Sequence, residues 1–186
     1  MSPPTLRWTT RDLEALPDDE WVRREIIDGE LFVTRAPHYK HQQTIRKILR
    51  LLDTWSEATG LGEVILTPGV IYTDTDNVIP DLVWVSRDRL ALLLDDAGHL
   101  TGSPELVIEI LSEGSTNEQR DRSAKLKLYS QQGVCEYWIV NWQLKQVEVY
   151  RREDAKLTLI VTLFEPDELT SPLLPNFCCR VAQFFV

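Results

Sequence analysis

The 186-residue chain lacks several things, and each shortage closes off a class of protein. It has three cysteines, Cys135, Cys178 and Cys179, an odd number with two adjacent and none at zinc-site spacing. That excludes a disulfide framework and predicts reduced thiols in a cytoplasmic protein. No run of about 18 apolar residues occurs, so no membrane span is expected. The opening stretch, MSPPTLRWTTRDLEALPDDE, has no apolar core and reads as no signal peptide. There is no repeat, no low-complexity tract and no linker. Positive charge is scarce too: 20 Lys and Arg against 29 Asp and Glu give a net charge of −9. This argues against a protein that coats nucleic acid non-specifically, while a local basic cleft depends on where charges lie rather than on their sum.

What is present fits one domain over residues 1–186, long enough to bury a core without staples. Residues 1–24 read as a helical lead-in and 25–186 as the core. TTRDLEALPDD predicts a short helix capped by Thr9 or Thr10 and stopped before Pro17. Asp28-Gly29 marks a hairpin turn inside RREIIDGELFVTR. HQQTIRKILRLLDTWSEATG carries Ile45, Ile48, Leu49, Leu52 and Trp55 at helical spacing, with Gly60 as the stop. STNEQRDRSAKLKLYSQQG predicts a second strong helix, with Ser115 and Glu118 as a capping box and Gly133 at its end. Extended segments flank both helices, so the expected fold is α/β or α+β, a mixed sheet covered by helices.

Two of those extended segments contain an acid where a charge is expensive. VIPDLVWVS, residues 78–86, reads as a buried strand with Asp81 inside it. ELVIEILS, residues 105–112, reads the same way around Glu109. Strand side chains alternate between faces. Ile79, Asp81, Val83 and Val85 therefore share one face, with Leu82 and Trp84 opposite. Leu106, Ile108 and Ile110 point away from Val107, Glu109 and Leu111. A buried carboxylate takes up a proton, pairs with a cation or binds a metal. Mg²⁺ is commonly held by one or two carboxylates plus waters and phosphate. On the helix that follows, a 100° step places Asp121, Ala124, Lys125, Leu128 and Tyr129 on one arc, and Arg120, Ser123 and Lys127 on the far side. Asp, Glu, Lys and a divalent cation (Mg²⁺ or Mn²⁺) are the parts needed to hydrolyse a phosphodiester, the lysine orienting the attacking water.

These pieces, in order, carry a resemblance. The DGE near Asp28, the HQ that opens the long helix, PDLVWVS, ELVIEILS, DRSAKLKLY and GVCEYWIVN…VEVYR together resemble the Uma-type family of putative restriction endonucleases, within the PD-(D/E)XK nuclease superfamily. The resemblance runs from about Glu25 to Val186. It implies a restriction-endonuclease-like core and a Mg²⁺-dependent DNA endonuclease in which Asp81, Glu109 and Lys125 are catalytic. It also implies metal ligation by Asp81, Glu109 and the backbone carbonyl of Ile110. Where the superfamily places its lysine, this chain has Leu111, and the lysine moves to the following helix, where Lys125 stands. SEGST, residues 112–116, departs from the usual Ser-Pro-Ser-Thr but removes no ligand.

Five further residues are candidates for the site: Glu30 and Glu25 from the early hairpin; His41 at the helix start, where anions are attracted; Asp121 as a partner for Lys125; and Tyr129. His38 and His41 lack a third zinc ligand. Arg46, Lys47, Arg50, Arg120 and Arg122 form a modest basic supply. Homodimerisation would provide two sites for two strands. The rival readings are a nuclease-like fold that binds DNA or protein without cutting, and a hydrolase of another phosphoester such as RNA.

Overall fold

A computed structural model describes residues 6–17, 22–112 and 118–185. The lead-in contains α1 (Thr10–Glu14), capped by Thr9 in a reciprocal box with Asp12. A hairpin follows, β1 (Val22–Ile27) and β2 (Glu30–Arg35). Its two turn residues, Asp28 and Gly29, have φ of 50° and 75°. A two-residue turn matching strand twist needs positive φ at both, which is why Asp-Gly stands there.

Next comes α2 (Tyr39–Thr59), closed by Gly60 in the left-handed conformation. Four strands follow: β3 (Gly62–Leu66), β4 (Val70–Thr73), β5 (Asp76–Val78) and β6 (Leu82–Ser86). The chain continues through α3 (Arg87–Leu93), β7 (Leu106–Ile110), a π-helical segment (Arg120–Lys125) and α4 (Leu126–Gln132). It ends with β8 (Glu136–Asn141), β9 (Gln146–Glu153), β10 (Lys156–Phe164), β11 (Glu168–Thr170), β12 (Cys178–Arg180) and a 3₁₀ turn (Val181–Phe184).

The main sheet has six strands in the order β10-β9-β8-β7-β6-β3. All its pairs are antiparallel except β7 with β8. A parallel pair needs a crossover, and the π-helical segment with α4 supplies it. β1, β2, β4 and β5 form a second sheet in the order β2-β1-β5-β4. The fold is therefore mixed α+β, as the sequence predicts. No helix among the described residues is long and apolar enough to cross a membrane.

Side-chain parity decides which core each strand residue joins. Leu82, Trp84, Leu106, Ile108 and Ile110 pack with Ile45, Ile48 and Leu52 of α2. Val83, Val85, Val107 and Leu111 pack on the other face with Leu128 and Tyr129 of α4. Each fully buried Leu or Ile is worth about 1.5–3 kcal/mol, so α2 and α4 are docked by their apolar stripes. Glu109 lies on the α4 face, between Ile108 and Ile110 of the opposite parity.

One expectation is corrected here. VIPDLVWVS is not a single strand. Val78 ends β5 in the second sheet, and β6 begins only at Leu82 in the main sheet. Pro80 has no N–H to donate to a ladder, and the chain changes sheets across Ile79–Asp81. The expected capping box at Ser115 and most of SEGST fall outside the described residues.

Candidate active site

The register of β6 on β7 pairs Leu82 with Ile108. One step further along antiparallel strands sets Asp81 beside Glu109. The two acids are therefore neighbours because the connector enters β6 where β7 ends. Asp81 Oδ2 accepts a hydrogen bond from the Ile110 N–H at 2.9 Å, and Oδ1 accepts one from Arg23 Nη1 at 3.0 Å. His41 Nε2 lies 3.3 Å from Asp81 Oδ2 and 2.9 Å from the Ile110 carbonyl oxygen. Burial alone would push the Asp81 carboxyl up. The hydrogen bond and charge of His41, the charge of Arg23 and the Ile110 N–H outweigh it, and hold Asp81 well below the usual carboxylate range.

Glu109 has the opposite balance. Its Oε1 accepts from Lys125 Nζ at 2.8 Å and from the Tyr129 hydroxyl at 3.0 Å. Burial dominates all the same. Lys125 offsets only part of it, and repulsion from Asp81, Asp121 and Glu25 adds to it, so the Glu109 carboxyl is pushed up to about 8. Lys125 itself is held charged: burial works against the ammonium, but Glu109, Glu25 and Asp121 prevail and raise it.

Lys125 has a second partner, which the sequence named only beside Glu30 as an acid of the early hairpin. Glu25 of β1, fully buried, receives the Lys125 ammonium on Oε1 at 2.9 Å and the Ile79 N–H on the same atom at 2.8 Å. One oxygen thus ties the helix carrying Lys125 to the connector carrying Asp81. Its other oxygen, Oε2, is buried without a hydrogen bond, 3.6 Å from Arg120 Nη1. Burial would raise the Glu25 carboxyl, yet Lys125 and Arg120 bring it down. The sequence signal for Glu25 was its place as an acid in the early hairpin, which it shared with Glu30.

Above these groups opens a cleft of about 440 Å³, lined among others by Arg23, Arg35, His41, Asp81, Glu109, Ile110 and Arg120. Within and below it, four carboxylates (Glu25, Asp81, Glu109, Asp121) face three permanent cations (Arg23, Arg120, Lys125). Fully ionised, the acids would outnumber these cations by one, and the raised Glu109 carboxyl relieves that imbalance.

The candidate residues divide as follows. Asp81, Glu109, Ile110, His41, Asp121, Lys125 and Tyr129 all come together. Glu30 does not: it is exposed at the head of β2, opposite Ile27, while Glu25 from the same hairpin points inward. Asp81 sits at the strand mouth as expected but is only 2% exposed, covered by Arg23 and His41 rather than open to solvent. Lys125 is fully buried and does not line the cleft, so it reaches the chemistry only through Glu109 and Glu25. Arg120, expected on the solvent side, is buried and lines the cleft. The cause is helical pitch: residues 120–125 form a π-turn, in which positions five apart align. A 100° step misplaced Arg120 for that reason. Arg122 binds Glu148 and Arg46 binds Gln43, so much of the expected basic supply is engaged locally.

Among the described residues no three His, Cys, Asp or Glu side chains form a ready metal cage. Glu109 Oε1 is turned toward Lys125 and Tyr129. The donor set nevertheless suits a hard divalent ion: a carboxylate at the mouth of β6 beside a carboxylate and a carbonyl oxygen on β7. Asp81, Glu109 and the Ile110 carbonyl are the groups that would hold it.

The family model for Uma2, described as a putative restriction endonuclease, matches residues 10–182. Among solved structures, the crystal structure of a putative nuclease belonging to DUF820 from Anabaena variabilis ATCC 29413 aligns with a TM-score of 0.75. The alignment covers 95% of this chain and 97% of that one at 18% sequence identity, a likeness of fold. No curated protein matches.

Proposed function

The chain belongs to the Uma2 family of putative restriction endonucleases, and from that premise we propose that the cleft is the active site of a Mg²⁺- or Mn²⁺-dependent DNA endonuclease. One observation carries the reading. Asp81, at the mouth of β6, stands beside Glu109 of β7 at the floor of an arginine-rimmed cleft, with Lys125 Nζ 2.8 Å behind Glu109. A bound divalent cation would polarise the scissile phosphate and lower the pKa of a water. Asp81, Glu109 and the Ile110 carbonyl would hold that ion. Lys125 acts as a positioning residue that fixes Glu109 Oε1 and offsets part of the cost of ionising it, leaving Oε2 for the cleft. Arg23, Arg35 and Arg120 would take backbone phosphates, Arg being suited to bidentate phosphate contacts.

The test is supercoiled plasmid incubated with the purified protein and Mg²⁺ or Mn²⁺, beside Asp81→Asn, Glu109→Gln and Lys125→Ala. Nicking or linearisation is expected from the wild type alone, abolished by EDTA. Cleavage that survives all three substitutions would remove the assignment. RNA and nucleotide substrates in the same panel separate DNA from other phosphoesters. Two copies would present two clefts to a duplex, and sedimentation in solution tests that pairing.

A second reading is a nuclease fold that binds DNA without cutting it. The observation in its favour is that both Asp81 oxygens are already engaged, by Arg23 and by the Ile110 N–H. Salt-dependent binding with no cation-dependent cleavage would support it.

A further inference from the structure

We propose that the outward face of the first half of α2 is a track for the DNA backbone beyond the cleft, an inference that rests on reading the cleft as the site of a DNA endonuclease. The chain's charge is unevenly spread. Residues 31–52 hold five of the 20 Lys and Arg (Arg35, Lys40, Arg46, Lys47 and Arg50) and none of the 29 Asp and Glu. A positive segment therefore stands inside a chain whose net charge is −9. Among the described residues none of these five cations is in an ion pair, whereas Arg7, Arg23, Arg122 and Arg151 each meet an acid.

Docking of α2 on the main sheet turns these charges outward. Ile45, Ile48 and Leu52 are buried, while Lys40, Arg46 and Arg50 are exposed. Arg46 and Arg50 stand one turn apart, about 6 Å along the helix axis. Arg46 donates to the neutral Gln43 side chain, which holds the guanidinium on that face and leaves its charge uncancelled. Lys47 is used otherwise, donating to the Phe185 carbonyl. The charges also run against the helix's own dipole. A helix favours anions at its start and cations at its end. α2 has no acid in its first turn and no base in its last, and it carries Lys40 at the start and Glu57 near the end. Helix formation is not the reason for such a reversal. A polyanion along the first half meets both the cations and the positive end of the dipole. That same end adjoins the cleft, where Arg35, Pro37 and His41 are lining residues. A duplex seated in the cleft can therefore continue over Lys40, Arg46 and Arg50 without crossing an acid. Contacts of this kind orient the duplex and read no sequence.

The probes are two labelled hairpin duplexes, about 8 and about 20 base pairs long at ~3.4 Å per step, titrated by fluorescence anisotropy in EDTA over a range of salt. The short duplex fills the cleft, so the cleft arginines set its slope of log K against log salt. On the long duplex the slope is expected to be steeper by about 3, one unit for each further cation. The triple variant Lys40→Ala/Arg46→Ala/Arg50→Ala is expected to return it to the short-duplex value. Arg46→Lys/Arg50→Lys, which keeps the charges, is expected to retain it. Equal slopes on the two duplexes, or a triple variant that keeps the steeper one, overturns the track and leaves the cleft reading standing. So does an equal loss in Arg11→Ala/Lys127→Ala/Lys156→Ala, which removes three exposed cations from other elements. No salt-dependent binding of either duplex, in EDTA or in Mg²⁺, overturns both readings.

Discussion

At the scale of single residues the site is a contest between burial and pairing. Glu109 and Asp81 are both about 2% exposed, yet their carboxyls move in opposite directions because Asp81 has Arg23, His41 and a backbone N–H while Glu109 meets three other acids. For Glu109, raised from 4.5 to about 8, the folded state holds the proton more tightly than the unfolded one. Stability of the cation-free protein should therefore fall as pH rises from about 4.5 to 8. For Asp81, depressed below 3.8, stability is present above that value and is lost as pH falls through the folded value. Thermal unfolding against pH should peak in mild acid, near pH 5, and Glu109→Gln should flatten the alkaline limb. An alkaline limb unchanged in Glu109→Gln would show that another group causes it. Lys125→Ala strands Glu25 and Glu109 together in the interior. Removing one partner of a buried pair costs about 3–5 kcal/mol, read as a lower urea midpoint, and adding Glu109→Gln to that variant should recover part of the loss.

At the scale of elements, two junctions set the site. The connector Ile79–Asp81 passes from one sheet to the other, and Glu25 holds it through the Ile79 N–H. The π-turn at 120–125 brings Arg120, Asp121 and Lys125 to one side, all buried. Arg120→Ala removes the 2.9 Å partner of Asp121 and a cleft cation together, so stability and DNA affinity should fall in the same variant. Backbone approach sets a third limit. A Cβ on Gly62 in β3 would stand 2.3 Å from the Val85 carbonyl and 2.7 Å from the Trp84 ring. Gly62→Ala should cost at least the upper end of the roughly 1–3 kcal/mol of overpacking. Gly133→Ala, at φ 90° but with open space around it, should cost only about 1 kcal/mol of backbone strain. Equal losses in the two variants, measured by chemical denaturation, would contradict this contrast.

At the scale of the whole molecule, a net charge of −9 must coexist with an arginine-rimmed cleft. Long-range attraction for DNA is weak under such a balance, and local contacts have to supply the affinity. Three cleft arginines neutralising three phosphates give a slope of log K against log salt near about −3 for one site. Arg35→Ala, which alters an exposed residue, should reduce that slope by about 1. A slope near zero would place DNA elsewhere or nowhere on this protein.

The sequence by itself determined the elements and most of their faces. Hydrophobic period fixed α2 and its stop at Gly60, strand parity put Glu109 on an apolar face, and helical phase separated Lys125 from Lys127, because these are local consequences of backbone geometry. It did not determine where VIPDLVWVS breaks, since the change of sheet depends on which edges are available to pair. Nor could it rank Glu25 above Glu30: the hairpin's inward face is defined only once β1 lies against Lys125. The burial of Arg120 required a π-turn, which a 3.6-residue period cannot express. Only tertiary structure decided that His41, 69 residues from Ile110 in the chain, would lie within hydrogen-bonding distance of it, because that contact is made by packing one helix on one sheet.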